Sequence, residues 1–262
     1  MINMFCLSEF SAEKAAVLNA KKTLKIKTLI KFIMTENKTN PLLIVNQLNK
    51  TVSSPDGNLE LLSNINVTIH SAQSIAIVGA SGAGKSTLLA ILAGLDTPTT
   101  GKVQLDDVDL FSLDEDGRAQ LRGRLIGFVF QSFQLLPSLT AIENVMLPLE
   151  LLSVPDAFEK ASRVLARVGL EKRANHYPRQ LSGGEQQRVA IARAFAVEPK
   201  ILLADEPTGN LDMKTGEKII ELLFSLNNEL GTTLILVTHD EKLASRCDRK
   251  LHMETGMLSE IV

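Results

Sequence analysis

The sequence predicts an α/β fold, a sheet with helices packed over it. Three observations carry that expectation. From Pro41 onward, short apolar runs rich in β-branched residues alternate with segments of helical period. The runs at 125–130, 201–204 and 234–237 are continuously apolar, as strands covered on both faces are. A glycine-rich turn at 79–87 lies between one apolar run and the start of a helical one.

Taken in order, residues 1–40 differ from the rest. Between Ser11 and Met34 six lysines (Lys14, Lys21, Lys22, Lys25, Lys27, Lys31) accompany one acid, Glu13, and Leu18, Leu29, Ile30 and Ile33 can share one helical face. That is the pattern of a membrane-surface helix. The polar stretch opening at Met34 and running straight into the first strand favours the plainer reading, a dispensable basic extension ahead of a start at Met34. Strands are expected at 42–48, 65–69 and 75–78, then a helix from Lys85, strands at 125–130, 201–204 and 234–237, and helices from Glu185 and Met213. A further helix is expected near Asp156. There an acidic cap precedes Glu159 at capping-box spacing, Phe158, Ala161, Leu165 and Val168 form one stripe, and Gly169 supplies a stop.

Composition excludes several classes of function. With 262 residues, 45% hydrophobic and 22% charged, the chain can bury a core, so disorder is not its main state. A net charge of −2 gives no global positive field for a phosphate backbone, and no nucleic-acid partner is expected. Cys6 and Cys247 offer neither a disulfide framework nor a metal site, and with no secretory start they fit the cytoplasm. No apolar stretch approaches the ~18 to 20 residues of a membrane span. A role at a membrane would therefore need a separate membrane subunit.

The strongest chemical signal is Gly79-Ala80-Ser81-Gly82-Ala83-Gly84-Lys85-Ser86-Thr87, a G-x-x-x-x-G-K-[ST] string between a strand and a helix. Its glycines let backbone N–H groups turn around an anion at a helix N-terminus, Lys85 suits the β- and γ-phosphates, and Ser86 offers a hydroxyl to Mg²⁺. A chance glycine-rich turn rarely has both this string and this context. Ile201-Leu202-Leu203-Ala204-Asp205-Glu206-Pro207 ends a buried run in two carboxylates. Asp205 is placed for the metal, and Glu206 for polarising a water. Alone, such a pair more often caps a turn; the upstream phosphate loop reverses that preference. Ser182-Gly183-Gly184-Glu185 is a plain capping box, yet its paired glycines also suggest a second anion site.

In this order, the phosphate loop, Leu181-Ser182-Gly183-Gly184-Glu185-Gln186-Gln187, the LLADEPTGNLD string and Thr238-His239-Asp240 resemble the ATP-binding subunits of ABC transporters over residues 41–262. The resemblance implies a P-loop NTPase core with a small antiparallel β subdomain and a helical signature subdomain at about 132–185. It implies an ATPase using ATP and Mg²⁺, in a homodimer that sandwiches two nucleotides, each held by residues 79–87 of one copy and 182–185 of the other. It also assigns Gln131 to the metal and the attacking water, Glu206 to the catalytic base, His239 to the γ-phosphate, and 209–212 to communication between sites. His239 and Gln131 owe these roles to their place in the motif order, since alone each reads as a structural residue.

The strings FVFQSFQLLPSLTAIENVMLPL and ADEPTGNLD are similar to the subgroup of lipoprotein-releasing, macrolide-exporting and cell-division ATPases. That similarity implies an integral membrane permease as partner, a cytoplasmic place on the inner face of the cell membrane, and work on hydrophobic or lipid-like substrates. Val52 stands where the family often stacks adenine on an aromatic residue, which puts base discrimination in question. Phe133, Leu135, Leu136, Pro137 and Leu139 form an apolar cluster read either as core or as the socket for the permease. A repair or translation ATPase is disfavoured by the single cassette and by the 96 residues between Lys85 and Ser182, too few for an inserted coiled coil. A non-hydrolysing regulatory module is disfavoured by the complete set Lys85, Asp205, Glu206 and His239.

Overall fold

Two sheets organise the described residues, and the second carries the chemistry. The computed structural model describes residues 41–54 and 57–261, which lie in one unit. The expectations for the basic extension and for Cys6 lie outside the described residues.

The first sheet is antiparallel, in the order β2-β1-β4-β5, with β1 at Pro41–Ser54, β2 at Gly57–His70, β4 at Thr100–Leu105 and β5 at Val108–Asp109. Apolar residues from β1, β2 and β4 (Leu43, Val45, Leu48, Leu62, Ile65, Ile69, Val103, Leu105) are buried in one cluster. The second sheet runs β10-β9-β3-β8-β7-β6, with β3 at Ser74–Val78, β6 at Ile126–Val129, β7 at Ile201–Asp205, β8 at Thr233–Val237, β9 at Arg249–Glu254 and β10 at Met257–Ile261. All its neighbours pair in parallel except β9 with β10.

Alternation explains why the central strands read as unbroken apolar runs. In β7, Ile201 and Leu203 join the cluster beneath the first sheet, while Leu202 and Ala204 join a second cluster beneath helices. In β8, Ile235 and Val237 take the first side and Leu234 and Leu236 the other. Burying each such side chain contributes roughly 1.5–3 kcal/mol, so both faces of the sheet are fixed tightly.

Seven α-helices are described: α1 at Lys85–Leu92, α2 at Glu115–Leu125, α3 at Ala141–Leu151, α4 at Ala157–Arg167, α5 at Gly183–Phe195, α6 at Met213–Leu230 and α7 at Glu241–Ala244. α3, α4 and α5 pack on one another around Val145, Leu149, Ala161 and Leu165. Two details of α4 differ from expectation. Asp156 is in the left-handed region (φ 56) and makes no side-chain cap, because a cap requires extended backbone to aim the carboxylate at the first turn. Phe158 is 58% exposed, so the buried stripe begins only at Ala161. Gly169 (φ +71) does end the helix, its N–H and that of Leu170 donating to the carbonyls of Ala166 and Leu165. The strand expected at 125–130 is shorter, because α2 continues through Leu125 and leads directly into β6.

Candidate functional site

The phosphate loop follows from where β3 ends. All five of its residues are buried, and beyond Val78 the chain turns through three glycines with positive φ: Gly79 (+149), Gly82 (+80) and Gly84 (+103). At two of them, backbone leaves no room for a side chain. A Cβ on Gly79 would sit on the Met253 carbonyl oxygen, and one on Gly84 would lie 2.7 Å from the Leu61 carbonyl oxygen. Gly84 is the left-handed N-cap of α1 and provides no side-chain cap, so the first-turn N–H groups and the positive end of the helix dipole are presented by backbone alone. Lys85 is 7% exposed and bends back over the loop, Nζ donating to the carbonyls of Gly79 (2.8 Å) and Ala80 (2.7 Å). Ala83 is buried beneath the loop.

Parallel pairing of β3, β8 and β7 brings three strand ends to this turn, with Asp205 in register with Val237 and Val237 with Ile77. Asp205 closes β7. Burial pushes its carboxyl above the ordinary range, and the neighbouring Glu206 charge adds to the shift; the Ser86 hydroxyl bonded to it and the Lys85 charge pull the other way. Glu206 follows in the left-handed region (φ 44), its N–H donating to the Val237 carbonyl at 3.0 Å. A non-glycine residue persists in that conformation only where neighbours over-determine it, and such strain is concentrated at functional sites. The turn places Glu206 Oε1 3.4 Å from His239 Nδ1, which sits just past the end of β8.

These groups share one cleft of about 640 Å³, lined by Gly79, Ser81, Gly82, Gly84, Lys85, Ser86 and Thr87 on one side and by Gln131, Asp205, Glu206 and His239 on the other. Gln131 enters from just beyond β6. The Asn210 amide donates to its carbonyl (3.0 Å), and a Cβ on Gly209 would lie 2.6 Å from Gln131 Nε2. The 209–212 loop thus yields space to the glutamine. Ser86, Asp205 and Gln131 all line the cleft, with the Ser86 hydroxyl bonded to the Asp205 carboxylate, and hard oxygen donors of these kinds fit Mg²⁺.

The four signature residues lie elsewhere. Ser182, Gly183, Gly184 and Glu185 do not line this cleft. Ser182 and Glu185 cap each other at the start of α5, with the Ser182 N–H and hydroxyl both donating to Glu185 Oε2 at 2.9 Å, and Arg173 pairs with Glu185 at 3.0 Å. The Ser182 bonds, then Arg173, hold the Glu185 carboxyl below its ordinary pKa. The paired glycines do not by themselves require a close-lying anion. A Cβ on Gly184 would lie 2.5 Å from Thr215 Cγ2 and one on Gly183 3.3 Å from Leu211 Cδ2, so contacts within the chain already require small residues.

Two residues at the site escaped sequence reasoning. Leu61 lines the cleft from β2, a position only the fold reveals. Gln187, fully buried, donates from Nε2 to the Pro207 carbonyl at 2.7 Å, next to Glu206. It was visible only as the last letter of the signature string. Val52 is partly buried, pairs with Leu59 across β1 and β2, and does not line the cleft. In the apolar cluster after Gln131, Leu135 packs against the core, whereas Leu136 is 44% exposed and Pro137 is exposed.

Known proteins share this arrangement. A family model described as ABC transporter matches residues 62–209, which contain the phosphate loop, Gln131, the signature segment, Asp205 and Glu206. The ABC transporter ATP-binding protein YbbA of Escherichia coli K12 is 54% identical over 218 residues, covering 82% of this chain and 96% of its own. The lipoprotein-releasing system ATP-binding protein LolD of Legionella pneumophila strain Paris is 48% identical over 222 residues, 84% of this chain and 98% of its own. Among solved structures, the ATP-binding cassette MJ0796, a dimer in a post-hydrolysis state bound to ADP and Pi, superposes with a TM-score of 0.77 at 43% identity, covering 84% of this chain and 97% of that one. With the phosphate loop, Gln131, Asp205, Glu206 and His239 gathered around one cleft, the chain belongs to the ABC transporter family as an ATP-binding subunit, an ABC ATPase similar to YbbA and LolD.

Proposed function

We propose that this chain hydrolyses ATP to drive a separate membrane subunit, as the motor of a transporter or mechanotransmission complex that exports or extracts a hydrophobic or lipid-like substrate across the bacterial envelope. The observation that carries the reading is the single cleft joining the glycine cradle and Lys85 to the Asp205–Glu206 pair, with His239 3.4 Å from Glu206.

The triphosphate enters at the N-terminus of α1, where backbone N–H groups take its oxygens and Lys85 exchanges two loop carbonyls for the β- and γ-phosphates. Ser86, Asp205 and Gln131 would hold Mg²⁺, which when bound neutralises phosphate charge. Glu206 accepts a proton from the water attacking the γ-phosphate. His239, from the opposite side of the carboxylate, orients the γ-phosphate and fixes Glu206 by their contact. Residues 182–185 act on the nucleotide of a second copy, so the working unit is a homodimer with two ATP molecules at its interface; the dimeric form of MJ0796 supports this.

On this reading the cassette is residues 41–262, with its helical subdomain at about 132–185, and the extension at 1–40 is dispensable; a chain started at Met34, which lacks the first 33 residues, should keep its turnover. None of the described helices is long and apolar enough to cross a membrane. On the family's pattern the subunit works from the inner face of the membrane, peripherally, on a permease that Leu136 and Pro137 help to receive, and has no nucleic-acid partner. The name of LolD, a lipoprotein-releasing system protein, supports a lipid-like cargo.

Glu206→Gln keeps the side-chain shape but cannot take a proton. Hydrolysis should fall by at least ~100-fold with ATP affinity retained; turnover near the parent rate would contradict the base assignment. Leu136→Asp should leave basal turnover intact while the membrane subunit no longer copurifies from native membranes, and undiminished copurification would place the docking surface elsewhere.

A further inference from the structure

The loop leaving Gln131 passes through two consecutive non-glycine residues in the left-handed region, Phe133 (φ 61) and Gln134 (φ 47). Backbone of that kind persists only where its surroundings hold it. Beside the loop's own backbone bonds and the Asn144 side chain, which takes the Leu136 N–H, one side chain of α5 holds it. Arg193 donates from Nη1 to the Gln134 carbonyl at 2.6 Å and from Nη2 to the Phe133 carbonyl at 3.0 Å. The planar fork of a guanidinium spans the two adjacent carbonyls with one nitrogen for each, where a lysine ammonium would hold them less rigidly. Burial of the guanidinium also lowers the Arg193 pKa.

The same loop meets α5 a second time, at the helix start. The Phe133 ring lies over Gly183, whose missing Cβ would be 3.7 Å from Phe133 Cζ. From the interior of α5, Gln187 reaches the Pro207 carbonyl beside Glu206. One helix therefore touches the segment carrying Gln131 and the segment carrying Glu206, and begins with the residues assigned to a second nucleotide.

We propose that Arg193 is a positioning residue: with the Phe133 ring it clamps the loop after Gln131 onto α5, so that Gln131 takes its place in the cleft according to where α5 and its Ser182–Glu185 start stand. The inference rests on the reading of the cleft as a hydrolytic ATP site. A shift of α5 that carries Ser182 toward the nucleotide of a second copy would carry both carbonyls with it and move Gln131 in the same step.

The test uses full-length protein and a double-mutant cycle between Gln131→Ala and Arg193→Met, the methionine keeping an apolar stem without donors. Arg193→Met should lower kcat at least about ten-fold while changing affinity for a fluorescent ATP analogue less than about two-fold, and Arg193→Lys should recover part of the loss. The double variant should be no slower than Gln131→Ala alone, because both changes remove the same function. Losses that multiply, a rise in KM with kcat unchanged, or no recovery by lysine would overturn the clamp, because a residue that only supports the fold gives those results. Should Arg193→Met fail to fold, Phe133→Leu takes its place in the same cycle with the same criteria. Glu206→Gln run alongside separates the two readings. If it is inactive and the cycle is multiplicative, the clamp alone is overturned; if it turns over like the parent, the hydrolytic reading falls and the clamp with it.

Discussion

Two helices of this molecule begin with glycines and look alike as text, but they are built on opposite principles. At the start of α1 the glycines answer to backbone: Gly79 and Gly84 have positive φ, and carbonyl oxygens of Met253 and Leu61 occupy the space a side chain would need. Nothing but glycine fits, and no side chain caps the turn. At the start of α5 the glycines answer to side chains, those of Leu211 and Thr215, and the helix is capped by its own Ser182 and Glu185. The first is an anion cradle complete within one chain. The second is closed on itself by its own capping box and, on the function proposed above, meets nucleotide only in a second molecule. A glycine-rich helix start therefore says little about phosphate until the obstacle to a side chain is known.

The difference can be broken experimentally, and the largest effect belongs to α1. Gly79→Ala puts a methyl group on a main-chain oxygen in a conformation alanine avoids, so ATP binding should be lost together with several degrees of melting temperature. Trimming a side chain nearby cannot restore it. Gly184→Ala should cost less, about 1–3 kcal/mol of overpacking against Thr215 set against roughly 1 kcal/mol of helix propensity gained. Here a rescue exists. Thr215→Ser removes the obstructing methyl and keeps the hydroxyl that bonds Asp212, so the double variant should melt at or above the parent temperature. Failure of that rescue would mean that Gly184 serves something other than packing.

The smallest effect concerns the carboxylate wall of the cleft. Because burial raises the folded-state pKa of Asp205, the folded protein binds its proton more tightly than the unfolded chain does, and the ionised group costs stability at every pH above that value. Stability from this group is therefore gained as pH falls through the folded pKa, the reverse of an ordinary paired carboxylate. Asp205→Asn should raise the melting temperature slightly at pH 7 while abolishing Mg²⁺-dependent turnover. The difference between variant and parent should shrink as pH is lowered into the carboxylate range. Melting curves of both proteins from pH 4 to 8 give the comparison, and an unchanged or lowered melting temperature of the variant at pH 7 would show that Asp205 is stabilised where it sits.

How much of this was legible depended on which physical signal each part leaves. β3, β7 and β8 declare themselves because two-sided burial demands unbroken apolar residues. The ends of β1 and β2 do not, since residues 57–60 are all exposed, Leu59 among them, and show no pattern of burial, while the hairpin extends well past the runs at 42–48 and 65–69. α2 hides in EDGRAQLRGRL, which has no fully buried residue. α3 was announced by Thr140 and Glu143, a capping box that the apolar run behind it obscured. At the site, the motif strings located nearly every residue lining the cleft. They gave no sign of Leu61, of the left-handed turn at Glu206, or of Met253 pressing on Gly79, because each depends on strands far apart in sequence.

The central claim is that the α1 cradle binds ATP within one chain, whereas the start of α5 meets nucleotide only in a second copy. Sedimentation velocity of full-length Glu206→Gln protein, with and without Mg²⁺ and ATP, tests it most directly. The account predicts a monomer without nucleotide and a doubling of mass with it; Ser182→Arg added to the same protein should abolish the doubling while ATP still binds each monomer. A mass that does not change at saturating ATP, or a Ser182→Arg protein that dimerises as well as its parent, would contradict it.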